Sequence, residues 1–259
     1  MTQKAQQKAA DNAQGSTANH FGFRNVEPDA KAGMVREVFS SVASRYDLMN
    51  DLMSGGMHRL WKNDFVSRIN VPATAAILDL AGGTGDIAVR LKKRTSANVT
   101  VCDINEAMLN VGRDRQIDKG ESKGLRWVCG NAEHLPVPDS SLDVITIAFG
   151  LRNVTDIPQA LRDAYRALKP GGQFLCLEFS EVVIPTLAKL YDKYSFKLIP
   201  KIGELVTKDR DSYQYLVESI RMFPKQEKLK AMMEDAGFAR VTFDNLSMGI
   251  VAIHRGWKI

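Results

Sequence analysis

Ala76-Ile77-Leu78-Asp79-Leu80-Ala81-Gly82-Gly83-Thr84-Gly85-Asp86 is the stretch that decides the fold. Its first five residues form a short apolar run of strand character. The chain then passes through a glycine-rich turn, where Gly82, Gly83 and Gly85 let the backbone approach a ligand closely. A helix follows, and its first amide groups and positive dipole end are suited to an anion such as a carboxylate. Asp103 lies 20 residues beyond Gly83, directly after the next apolar run, 98–102. A carboxylate at that place can accept both ribose hydroxyls of a nucleoside. The pair alone does not choose the nucleoside, because Gly83-Thr84-Gly85-Asp86-Ile87-Ala88 also satisfies a relaxed dinucleotide fingerprint.

Outward from this unit the same alternation continues. Further strand-like runs fall at 125–129, 142–149 and 173–179, separated by helical patterns. Asn105 is placed to cap a helix carrying Met108 and Leu109. Asp156 precedes Leu161, Ala164, Tyr165 and Leu168, with a stop at Lys169-Pro170-Gly171-Gly172. Leu229, Met232, Met233 and Ala236 make another apolar face, closed by Gly237. Runs at 239–244 and 249–254 are close enough to pair as a hairpin. Strands alternating with helices imply an α/β fold: a doubly wound, mostly parallel, Rossmann-like sheet of seven strands with an antiparallel C-terminal hairpin. Upstream, Met34, Val35, Val38, Phe39 and Val42 recur at helical spacing. The expected organisation is a disordered tail over 1–22 and a single domain over 23–259. Within that domain, 23–70 is expected to form a helical lid and 181–225 a helical insertion on the substrate side.

The chain's 259 residues, 44% hydrophobic and 25% charged, suit one large globular domain. The net charge of +5 is spread along the chain, with no basic run interleaved with aromatics, so a nucleic-acid partner is not expected. Cys102, Cys129 and Cys176 each sit in an apolar run that reads as a buried strand. Their odd number and spacing point to packed thiols rather than a disulfide framework or a zinc site, and no metal is expected. Residues 1–20 lack both the apolar centre of a secretory signal and the arginines of a mitochondrial presequence. The expectation is a cytoplasmic protein, peripheral at most on the inner face of the cell membrane.

Three features favour S-adenosylmethionine as the cofactor. Asp79 through Gly85 resembles the D-x-G-x-G-x-G motif of the large methyltransferase class, with Ala81 in place of its first glycine. Asn131-Ala132-Glu133 follows the third strand, where that class contacts adenine, and Leu168-Lys169-Pro170-Gly171-Gly172 is a frequent companion. The resemblance becomes specific in longer segments: 46–54 (YDLMNDLMS), 58–62 (HRLWK), 149–154 (FGLRNV), 194–196 (YSF), and 211–216 (DSYQYL) with 218–221 (ESIR). These are similar to the signature of the ubiquinone/menaquinone-biosynthesis C-methyltransferases, and the similarity runs from about Phe23 to the C-terminus.

That resemblance implies a class I methyltransferase fold and methyl transfer to a ring carbon of a polyprenylated benzoquinol or naphthoquinol. Among its implied cofactor contacts are Thr84, Asp103, Asn131, Ala132 and, through backbone, Ala148, where relatives often carry serine. The reaction asks for help in deprotonating a ring hydroxyl whose pKa is near tyrosine's, roughly 10. Arg152 is the candidate to stabilise the forming phenolate or to orient a water. His58 is the more natural base, and Tyr46 is a further contact from the lid. Asn153 and Asn50 are candidate substrate ligands. Lys189, Lys193, Lys197 and Lys201 recur every four residues and, on a helix, would form a stripe able to rest on anionic lipid, with Pro200 interrupting it before the last. A homodimer or a quinone-biosynthesis complex is compatible with this reading. Other classes remain open: a small-molecule O- or N-methyltransferase, a non-catalytic cofactor-binding subunit, and a nicotinamide dehydrogenase.

Overall fold

A computed structural model of the chain describes residues 20–42, 51, 54–182 and 210–259. The chain enters through a short antiparallel pair, β1 (His20–Phe21) and β2 (Arg24–Asn25), followed by helices α1 (Pro28–Val42) and α2 (His58–Ser67). Then β3 (Ala76–Leu80), α3 (Asp86–Thr95), β4 (Asn98–Asp103), α4 (Glu106–Asp118), β5 (Leu125–Cys129) and β6 (Leu142–Ala148) follow in turn. After them come α5 (Ile157–Ala167), β7 (Leu168–Phe179), α6 (Arg210–Met222), α7 (Gln226–Asp235), β8 (Ala239–Leu246) and β9 (Val251–Trp257).

The seven long strands form one sheet in the order β5-β4-β3-β6-β7-β9-β8. Pairings from β5 through β7 are parallel, while β9 runs antiparallel to both β7 and β8. The expected doubly wound sheet with a C-terminal hairpin is therefore the observed one. The sheet grows from β3 to β4 in one direction and from β3 to β6 in the other. That reversal opens a crevice at the strands' carboxyl ends, where such sheets bind ligands.

Both faces of the sheet are covered, which is why runs such as Ile77-Leu78 and Val144-Ile145 are continuously apolar rather than alternating. One face packs Ile77, Val99, Val101, Val144 and Leu175 against Phe65 of α2, Leu91 of α3 and Leu216 of α6. The other packs Leu78, Leu80, Ile145, Ile147 and Phe174 against Leu161 of α5 and Met233 of α7.

Four expectations need correcting. First, residues 20–22, expected in the tail, take part in the described fold. Phe21 is buried and stacks on Tyr215 of α6, with ring centroids 4.2 Å apart. Second, Cys129 is exposed, unlike the buried Cys102 and Cys176. It closes β5, an edge strand covered less completely than its neighbours. Third, α5 ends at Ala167, before the Lys-Pro-Gly-Gly turn. Its Leu168 already pairs with Leu142, and Lys169–Gly172 loops out before Gln173 pairs with Val144. Fourth, the final strand reaches Trp257, three residues beyond the expected 254. The 1–19 segment, the lysines at 189–201 and most of the 181–225 insertion fall outside the described residues, as do Tyr46 and Asn50.

Candidate functional site

At the carboxyl end of β3 the backbone turns sharply through Ala81 (φ 49°), Gly83 (φ 55°) and Gly85 (φ 77°). These left-handed values cost a glycine little, which suits residues 83 and 85. The Gly85 amide donates to Gly82 O at 2.8 Å, closing the turn, and Gly85 stands at the N-cap of α3. Asp79 holds the turn from below. It is buried, and its carboxylate accepts from Thr146 Oγ1 at 2.9 Å and from the Ala88 amide at 3.2 Å. One α3 amide that the sequence reading leaves to an anionic ligand is thus taken by Asp79. Burial above all, aided by Asp86 and Asp103, pushes the Asp79 carboxyl up to about 7 despite those two hydrogen bonds.

Asp103 braces the loop from the neighbouring strand. One of its oxygens accepts from the Gly83 amide and the other from the Asn105 amide, each at 2.8 Å. Each carboxylate oxygen has a second lone pair, so the pair can still accept hydroxyls from the cavity it faces. That cavity, of about 340 Å³, brings together the glycine loop, Thr84, Asp103, Asn131, Ala132, Ala148 and Asn153. A carboxylate at Asp103 beside the small side chain of Ala132, with the glycine loop next to them, fits the ribose and base of an adenosine.

The cavity has a cover, held by a contact that the sequence does not reveal. Val35, Arg36 and Phe39 of α1 line it, and Asn105 clasps that helix. The Asn105 side chain accepts from the Met108 amide at 3.2 Å, capping α4 as expected. Its Nδ2 also donates to Arg36 O at 3.2 Å and to Ser40 Oγ at 3.1 Å. The second half of this role joins residues 65 and 69 positions apart, which no local pattern shows. Lys62 and Phe149 are further wall residues outside the sequence-based site. The only sequence pointers to them are their places in the quoted signature segments, Lys62 in 58–62 and Phe149 in 149–154.

The remaining candidates fall beside the cavity. Arg152 is buried, and its Nη1 lies 3.0 Å from both oxygens of the buried Glu178 and 2.6 Å from Phe149 O. Among the described residues it does not line the cavity, and its guanidinium ties the turn between β6 and α5 to β7. Asn153, next to it, does line the cavity, and its Oδ1 accepts from Tyr215 Oη at 2.9 Å. His58 is likewise buried behind the wall, with Nε2 2.8 Å from Asp51 Oδ1. Burial and the nearby Lys62 hold its imidazole below the usual histidine range, against the pull of Asp51. Among the described residues no group of three or more His, Cys, Asp or Glu side chains could hold a metal ion.

Known proteins resemble the chain in both sequence and fold. The Thermotoga maritima SAM-dependent methyltransferase superposes with a TM-score of 0.64 at 20% identity, over 87% of this chain and all of that one. Phosphoethanolamine N-methyltransferase 2 of Haemonchus contortus, solved with S-adenosyl-L-methionine, gives 0.58 at 16% identity, over 76% of this chain and 52% of that one. Much nearer in sequence is the ubiquinone/menaquinone biosynthesis C-methyltransferase UbiE of Rhodopseudomonas palustris (strain BisB5). It is 58% identical over 245 residues, covering 93% of this chain and 97% of the relative. The protein of the same name from Brucella abortus (strain S19) is 54% identical over 252 residues, 95% of this chain and 93% of the relative. A family model matches residues 24–258, and the chain belongs to the ubiE/COQ5 methyltransferase family.

Proposed function

We propose that the protein moves a methyl group from S-adenosylmethionine to a ring carbon of a polyprenylated hydroquinone. The observation that carries this reading is the single cavity in which the glycine loop, Asp103 and Ala132 meet Asn153 and Phe149. The first three would hold the nucleoside, with Asp103 on the ribose hydroxyls and Ala132 against the adenine. The bound cofactor supplies an electrophilic methyl on a positive sulfur, so the protein's task is positioning.

Asn153, oriented by Tyr215, is placed to hold a ring oxygen. Arg152 positions Asn153 by tying the turn to Glu178 and to Phe149 O. His58 is proposed as a proton acceptor, and its part in catalysis would show as a pH–rate profile altered in His58→Gln. Tyr46 and Asn50 are proposed to approach the ring from the segment between α1 and α2.

A polyprenyl tail has to be drawn from a lipid surface, and no helix among the described residues is long and apolar enough to cross a membrane. Peripheral contact through the 189–201 lysines is the proposed route. It predicts salt-sensitive sedimentation with anionic liposomes, and no sedimentation at low salt would remove it.

The deciding experiment is transfer of labelled methyl to a reduced short-chain methoxybenzoquinol or demethylmenaquinol, with Asp103→Ala as control. Label on ring carbon, lost in the control, supports the reading. Cofactor binding without methylation of either quinol overturns the substrate assignment.

A further inference from the structure

Lys62 is 4% exposed, yet it forms part of the cavity wall. A buried ammonium needs partners, and its Nζ has Asp86 Oδ2 at 2.9 Å. The other oxygen of Asp86 accepts from Arg90 Nε at 2.9 Å. Burial would raise the Asp86 carboxyl, but Lys62 and Arg90 outweigh it and hold the group below its ordinary range. Lys62 and Asp86 thus stand side by side as an ion pair, and both line the cavity.

Their place along the cavity is specific. Asp103 and Asn131 follow β4 and β5, to one side of the glycine loop. Phe149 follows β6, on the other side, and the Lys62 ammonium lies over its ring, 6.0 Å from the centroid. The cavity therefore runs from a nucleoside-binding end, past the glycine loop, to a side-by-side cation and anion. A single ionic ligand group would leave one member of this pair facing a like charge. A zwitterion satisfies both.

We infer that Lys62 and Asp86 together recognise the amino-acid end of the cofactor. The Lys62 ammonium meets the α-carboxylate, and the Asp86 carboxylate meets the α-ammonium. This rests on S-adenosylmethionine being the cofactor, and it assigns two residues to the methionine portion that the nucleoside contacts do not reach. It also explains why a lysine is buried at this point of α2, one turn after His58 on the same helix.

The test compares two nucleosides by titration calorimetry: S-adenosylhomocysteine, which carries the amino acid, and 5′-methylthioadenosine, which lacks it. Lys62→Met should weaken S-adenosylhomocysteine by about tenfold or more, the scale of a lost charge-assisted hydrogen bond. It should leave 5′-methylthioadenosine within about twofold, because the nucleoside end is untouched. Asp86→Asn, which keeps an oxygen for Arg90, should show the same selectivity and serves if Lys62→Met does not fold. Equal weakening of both ligands, or of neither, overturns the inference. Failure of the unaltered protein to bind either nucleoside overturns the cofactor reading itself.

Discussion

Ala81 and Gly150 fit each other as a pair: a Cβ placed on Gly150 would stand 2.6 Å from the Cβ of Ala81. Ala81 is also in the left-handed region, at φ 49°. Where the methyltransferase motif resembled by the loop has glycine, this chain carries a methyl group in a strained turn, and the facing residue after β6 has none. Gly150 itself is at φ −118°, so nothing but space demands glycine there.

Gly150→Ala should therefore destabilise the protein by about 1–3 kcal/mol, the usual cost of overpacking. Adding Ala81→Gly removes the opposing methyl and should recover most of that loss. Urea unfolding of the two single variants and the double variant measures the coupling. Additive effects would show that the two positions do not constrain each other.

A second prediction concerns Arg152. With Glu178 it forms an ion pair in which both side chains are almost fully buried. Arg152→Met strands Glu178 in the core and should cost about 3–5 kcal/mol. Combining it with Glu178→Gln, which retains an acceptor for the Phe179 amide, should restore much of the stability. If the restored double variant still binds S-adenosylhomocysteine but transfers methyl poorly, Arg152 acts on the reaction beyond holding the turn. Full activity in the double variant would confine it to packing.

These pairings explain where sequence reading succeeds and where it stops. The glycine loop and Asp103 are legible because strand, turn and carboxylate follow a fixed local order dictated by backbone geometry. Asn105 is legible as a cap for the same reason. The Arg152–Glu178 pair is not, because it joins residues 26 positions apart on adjacent elements. A lone arginine after a strand therefore reads as a cleft residue. Cys129 misleads because an apolar run carries no sign of lying on an edge strand. Lys62 escapes notice because a lysine is presumed solvated until its neighbours are known.

The third prediction follows from Asp79. Its folded-state pKa is raised, to about 7, so the folded protein binds a proton that the unfolded chain releases near pH 4. This group therefore lowers stability as pH rises from about 4 to about 7, and the penalty is complete above that window. His254, buried and held down to about 4, works the opposite way: its neutral form favours folding, and stability is lost as pH falls below the usual histidine range. The two trends overlap, so only a variant comparison separates them. Asp79→Asn keeps an oxygen for the Ala88 amide and cannot ionise. Its stability relative to the unaltered protein should improve between pH 5 and pH 8, by an amount on the order of a few kcal/mol. A difference that is constant with pH would refute the raised carboxyl.

The cover over the cavity is held in part by a single side chain. Asn105 holds α1 through its side-chain amide and caps α4 through its oxygen, so the same residue joins the cover to the strand that carries Asp103. Asn105→Asp keeps the cap oxygen but loses the amide donor to Arg36 O and Ser40 Oγ. Asn105→Ala loses both. The alanine variant should lose about 1 kcal/mol more than the aspartate variant, the worth of a cap. Both variants should loosen α1 equally, seen as faster amide hydrogen exchange over residues 30–40 while α4 exchange rises only in the alanine variant. Since Val35, Arg36 and Phe39 close the cavity, both should also release S-adenosylhomocysteine faster, by roughly the few-fold expected from one lost neutral hydrogen bond. Unchanged exchange over α1 in Asn105→Asp would mean that the helix is held by its packing against Phe21 and Tyr215 and that Asn105 is only a cap.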